Sequence, residues 1–133
     1  MARKSMIPCP DEDVEQMCLF RWARANEGAH PELELLFHVP NGGKRSKAEA
    51  ARFKEMGVKA GVSDVFLPVA RAGYHGLWIE LKRLDDGRPT KAQLKWIERM
   101  TAEGYVAAVC HGWVQAARMI CTYLHIRGTG LDD

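Results

Sequence analysis

The stretch Leu77-Trp78-Ile79-Glu80-Leu81-Lys82-Arg83 constrains this chain more than any other. Its aromatic and branched apolar residues alternate with charged ones, which reads as a strand whose successive side chains face opposite ways. Ile79 and Leu81 then point into a core, while Glu80 and Lys82 share the other face. A carboxylate and an ammonium at the inner end of an apolar strand are costly to desolvate unless something partners them. The plain alternative is an exposed ion pair on an edge strand. The strand by itself does not choose between the two.

Punctuation along the rest of the chain sets the context. Residues 11–25 read as a helix capped by Asp11, with Val14, Met17, Cys18, Leu19 and Trp22 at helical spacing. Residues 33–39, bounded by Pro31 and Pro40, read as a strand, and Pro40-Asn41-Gly42-Gly43 as a loop. Ser46 and Glu49 form a capping box for a helix over 46–56, which Gly57 ends. The β-rich runs 62–69 and 77–84 form a hairpin across a glycine-bearing connection. A turn over 85–89, a helix over 90–103, a strand over 105–110 and a helix over 113–124 complete the order. A hairpin followed by a helix-linked strand implies an α/β fold, a mixed sheet flanked by helices. The expectation is one domain over 1–133, its core at about 11–125.

Composition narrows the function classes. No apolar run approaches bilayer length and no signal core follows the basic N-terminus, so a cytoplasmic protein without a membrane partner is expected. Cys9, Cys18, Cys110 and Cys121 lack zinc-ligand spacing, and the last three sit in apolar stretches as small hydrophobes do. Net charge is only +2, but Lys44, Arg45, Lys47, Arg52, Lys54 and Lys59 outweigh Glu49 and Glu55 within one stretch. Such a patch suits either a polyanion or an ordinary solvated helix.

Asp64 shifts the balance at the strand. A hairpin turning near Ala72 or Gly73 places the residue opposite position 64 near positions 80 to 82, and opposed side chains lie about 5 Å apart. Asp64, Glu80 and Lys82 then converge. Two carboxylates so close repel unless a cation or a shared proton intervenes, and a few hard oxygen donors suit Mg²⁺.

Gly61-Val62-Ser63-Asp64 followed by Ile79-Glu80-Leu81-Lys82 resembles the D…E-x-K core of the PD-(D/E)XK nuclease superfamily. Glu12, Glu15 and Gln16 on the first helix, the Pro40-Asn41-Gly42-Gly43 loop, Lys59-Ala60-Gly61 and Pro89-Thr90-Lys91-Ala92-Gln93 are similar to the VRR-NUC family, in its stand-alone phage and bacterial form. The resemblance runs from about Glu12 to Leu124. It departs at Ser63, where the family usually has proline, a stiffener of the approach to Asp64 but no ligand.

The resemblance implies a restriction-endonuclease-like core and a Mg²⁺-dependent, structure-selective DNA endonuclease, with Mn²⁺ as a substitute and no nucleotide cofactor. Asp64 and Glu80 would hold the metal with the Leu81 carbonyl, and Lys82 would activate water and stabilise charge on the phosphate. Glu12 is the expected helix ligand and Glu15 its rival, the latter also suited to a helix N-terminus. Gln93 matches the family's glutamine after the strand, yet equally completes a capping box with Thr90. Asn41, Gly42, Gly43, Lys44, Arg45 and Lys47 would hold the DNA backbone. His38, His75, His111 and His125 receive no catalytic role. Branched DNA such as a four-way junction is the implied substrate, and two cuts from a one-site domain imply a homodimer. A non-catalytic DNA-binding protein and an exonuclease acting on ends or flaps are the competing readings.

Overall fold

The computed structural model describes residues 11–40 and 45–131. Helix α1 spans Glu12–Asn26, with the Asp11 side chain accepting a hydrogen bond from the Val14 amide at 2.9 Å. A 3-10 helix, Pro31–Leu35, leads into the two-residue strand β1, Phe37–His38. Then follow α2 (Lys47–Glu55), β2 (Val65–Leu67), β3 (Leu77–Lys82), α3 (Lys91–Ala102), β4 (Val106–His111) and α4 (Trp113–Leu124).

The strand expected over 33–39 is therefore largely a helical turn, which corrects the sequence reading. An extended run would put Leu33, Leu35 and Phe37 on one face. Instead Leu33 and Leu36 are buried, the spacing of a 3-10 turn, while Leu35 and Phe37 are about half exposed. Pro31 sits at the first helical positions, where its fixed φ favours the turn.

The sheet order is β1-β2-β3-β4, antiparallel except for the parallel β3–β4 pair. Parallel neighbours need a crossover, and α3 provides it. Strand β3 lies inside the sheet, so the edge-strand reading of Glu80 and Lys82 falls. Leu77, Ile79 and Leu81 face a core shared with Leu19 of α1 and Ala116, Ala117 and Ile120 of α4. On the opposite face Trp78 stacks on Phe66 at 4.1 Å and meets Trp96 of α3 edge-on at 5.4 Å. The helices thus sandwich the sheet, and both faces of β3 are covered.

Candidate active site

Pairing of Val65 with Ile79 continues outward to set Asp64 against Glu80. Asp64 is held from both sides. Its Oδ2 accepts a hydrogen bond from the Leu81 amide at 2.8 Å. Its carbonyl accepts from the Val39 amide at 2.7 Å and lies 2.8 Å from His38 Nδ1. The carboxylate therefore stands at the junction of the β1 end and β3, before β2 begins.

Glu80 is 1 % exposed, and neither carboxylate oxygen has a hydrogen-bond partner. Lys82 Nζ stands 3.6 Å from Glu80 Oε2, a Coulombic contact longer than a hydrogen bond. Burial first, and the adjacent Asp64 carboxylate second, push the Glu80 acid up to about 9, with Lys82 opposing both. Lys82 is itself buried and lies 3.9 Å from Glu12 Oε1. One ammonium thus stands between carboxylates from β3 and α1.

Glu12, Asp13, Gln16, His38, Asp64 and Leu81 line a cleft of about 380 Å³. Glu12 opens α1, so its carboxylate sits where the first turn meets the sheet end. Glu15 is engaged elsewhere: Oε1 accepts a 2.9 Å hydrogen bond from the Trp113 amide, the first residue of α4. Gly112, which precedes it, has no side chain to cap α4, so Glu15 from a remote helix serves instead. Gln93 completes the capping box of α3, its Oε1 accepting from the Thr90 amide at 2.8 Å. It is absent from the described residues lining the cleft.

Of the residues expected to hold DNA, Asn41, Gly42, Gly43 and Lys44 lie outside the described residues. Lys47 is exposed at the start of α2, and the Arg45 guanidinium lies 4.4 Å over the Phe53 ring. Ser63 is fully buried, and its hydroxyl has no hydrogen-bond partner. Asp13 and His38 were missed as cleft residues. Asp13 was legible in principle, lying three positions before Gln16 on the helix. His38 had no local signal, because its place depends on pairing with a segment 26 residues away.

Hard oxygen donors in small number suit Mg²⁺, which commonly takes one or two carboxylates and completes its shell with water. Asp64 and Glu80 fit that pattern, and the Glu80 oxygens make no hydrogen bond that a metal would have to displace. Among the described residues, no three His, Cys, Asp or Glu side chains already gather into a metal cage.

Known proteins share the fold. The family model described as the VRR-NUC domain matches residues 12–113. A solved structure named VRR_NUC domain protein superposes with a TM-score of 0.78 at 34% identity, covering 90% of this chain and 92% of that one. No curated protein matches the chain. Among the described residues, no helix is long and apolar enough to cross a membrane. With that match and a mixed sheet flanked by helices, the chain belongs to the VRR-NUC domain family, a family of nucleases.

Proposed function

We propose that this chain is a Mg²⁺-dependent, structure-selective DNA endonuclease acting as a homodimer on branched DNA such as four-way junctions. The observation that carries the reading is the buried Glu80 carboxyl, which makes no hydrogen bond and stands between Lys82 and Asp64, the latter lining the cleft. Burying such a group costs several kcal/mol unless it is neutralised or given a cation. A fold that keeps it there has a use for it.

Asp64 and Glu80 would hold Mg²⁺, or Mn²⁺ in its place, with the Leu81 carbonyl and Glu12 as further oxygen donors. The metal, when bound, lowers the pKa of its water and polarises a phosphoryl oxygen. Lys82 lies against the carboxylates, where it orients the attacking water and meets the negative charge that grows on the phosphate. The hydrogen bond from the Leu81 amide fixes the Asp64 carboxylate before substrate arrives, so no reorganisation is needed there. Gln93 is assigned to its capping box rather than to the reacting atoms. A symmetric junction needs two cuts, and a 15.0 kDa domain with one site makes them as a pair related by a two-fold axis.

Labelled duplex, flap, splayed and four-way DNA, each with Mg²⁺, Mn²⁺ or chelator, test this reading. Cleavage should occur inside the four-way arms with either metal and stop with chelator. Asp64→Ala, Glu80→Ala and Lys82→Ala should each lower the rate by about 10²–10⁴ with the fold retained. Wild-type cleavage by pure Glu80→Ala would sink the site, and cutting confined to ends would make the chain an exonuclease. Sedimentation should give twice the chain mass in solution.

A further inference from the structure

Helix α2 stands apart from the rest of the fold. None of its residues is buried, and it makes at most marginal contact with any other helix or strand. Nine-residue helices are marginal in water without tertiary packing. This one is held by its Ser46–Glu49 capping box and by Gly57, whose φ of 98° allows the chain to turn back. The returning segment, residues 58–60, forms with α2 a groove of about 590 Å³. That volume falls within the roughly 300–1,000 Å³ of small-ligand sites.

The groove has two kinds of lining. Ala50, Phe53, Val58 and Ala60 make an apolar floor. Arg45, Lys54 and Lys59 supply three cations, and among the described residues none that lines the groove is acidic. The Arg45 guanidinium lies 4.4 Å over the Phe53 ring, so a flat cationic plane is already backed by an aromatic one. An apolar floor alone would fit any greasy segment. Cations around a stacked aromatic call for a ligand with a flat apolar face and negative charge on either side.

We infer, on the reading that this chain cleaves DNA, that the α2 groove takes one unpaired nucleotide of the substrate. Its base stacks on the Arg45–Phe53 pair, and its flanking phosphates meet Lys54 and Lys59. Ala60, at one edge of the groove, is four residues before Asp64, so that edge lies within roughly 14 Å of the Asp64 backbone. Unpaired DNA held there is close to the bond to be cut. A fully paired arm has no base to offer, so the groove favours substrates with an unpaired strand, such as flaps, splayed arms or ends frayed at a branch point, over plain duplex.

The test is binding by the full chain carrying Glu80→Gln, measured by anisotropy on a duplex and on the same duplex with a short unpaired arm. The armed DNA should bind more tightly. Adding Phe53→Ala should cut that preference about tenfold while duplex affinity changes little, and Phe53→Trp should keep it. 2-Aminopurine in the arm should be quenched on binding, and the quench lost in Phe53→Ala. Phe53 lies in a helix with no buried residue, so these changes leave the core intact. Equal weakening of both DNAs, no weakening of either, or no preference in the Phe53 protein would each overturn the groove. A Phe53-intact chain that bound no DNA of any kind would strike the nuclease reading as well. One that bound and cut DNA but ignored the arm would strike the groove alone.

Discussion

Glu80 is a buried acid whose proton affinity is raised, and that has a consequence for stability. Its folded pKa of about 9 exceeds the ordinary carboxylate value of 4.5, so the folded chain binds the extra proton between those limits. Stability should therefore fall as pH rises from about 4.5 through 9 in the presence of chelator. Glu80→Gln keeps the shape of the neutral acid and removes the ionisation. The variant should be more stable than wild type by up to roughly 5 kcal/mol at pH 8, and the gap should close to under about 1 kcal/mol near pH 5. Thermal melts across that range, with chelator, check it, and parallel curves would refute the buried-acid account. The glutamates of α1 separate along different lines. Glu12 faces the cleft and lies 3.9 Å from Lys82, whereas Glu15 caps α4. Glu12→Gln should raise the Mg²⁺ requirement for cleavage about tenfold and leave the melting temperature alone. Glu15→Gln should cost about 1 kcal/mol of stability at unchanged Mg²⁺ requirement. The opposite pattern would exchange their roles.

What brings Asp64 and Glu80 together is an irregularity in the β2–β3 hairpin. Arg71 pairs with Tyr74 across a two-residue turn, but Leu67 pairs with Leu77, so one extra residue is accommodated on the β2 side. It falls around Pro68, which has no amide to give the ladder, and Val69, whose amide turns back to Leu67 at 2.9 Å. Without that bulge Asp64 would lie opposite Leu81 and point into the core. The turn itself has positive φ at both central residues, 50° at Ala72 and 88° at Gly73, the conformation favoured by right-twisted hairpins. Alanine is strained there. Ala72→Gly should stabilise the chain by about 1 kcal/mol and raise the melting temperature by about 3 °C. A fall would mean that the extra backbone freedom glycine gives the unfolded chain outweighs the strain relieved. Much of this was legible. The capping boxes of α2 and α3 lie within three residues of sequence, and a turn at Ala72-Gly73 puts the partner of position 64 near positions 80 to 82, but the bulge that selects Glu80 over Leu81 was not legible. The 3-10 turn was not, because a short apolar run bounded by prolines fits either period. Nor was the cap that Glu15 gives α4, made across 98 residues of chain.

Charge across the chain as a whole is nearly balanced, at +2, and this decides how DNA is attracted. Long-range steering by net charge is weak, so binding rests on where the cations are concentrated. The run from Lys44 to Lys59 carries six of them against Glu49 and Glu55, leaving the remainder of the chain net acidic. Lys44, Arg45 and Lys47 adjoin Asn41-Gly42-Gly43, a composition suited to phosphate oxygens and poorly suited to bidentate reading of base edges. Each phosphate neutralised releases counterions, so each charge contributes about 0.9 to the slope of log affinity against log salt on duplex DNA. Replacing Lys44, Arg45 and Lys47 together with alanine should flatten that slope by about 2–3 and weaken unrelated sequences by a similar factor. Binding is read with Ca²⁺ or in Glu80→Gln, so that cleavage does not intervene. An unchanged slope would make these residues an ordinary solvated surface. A loss confined to one DNA sequence would mean that the chain reads bases, and selection of substrate by shape would have to be abandoned in favour of sequence.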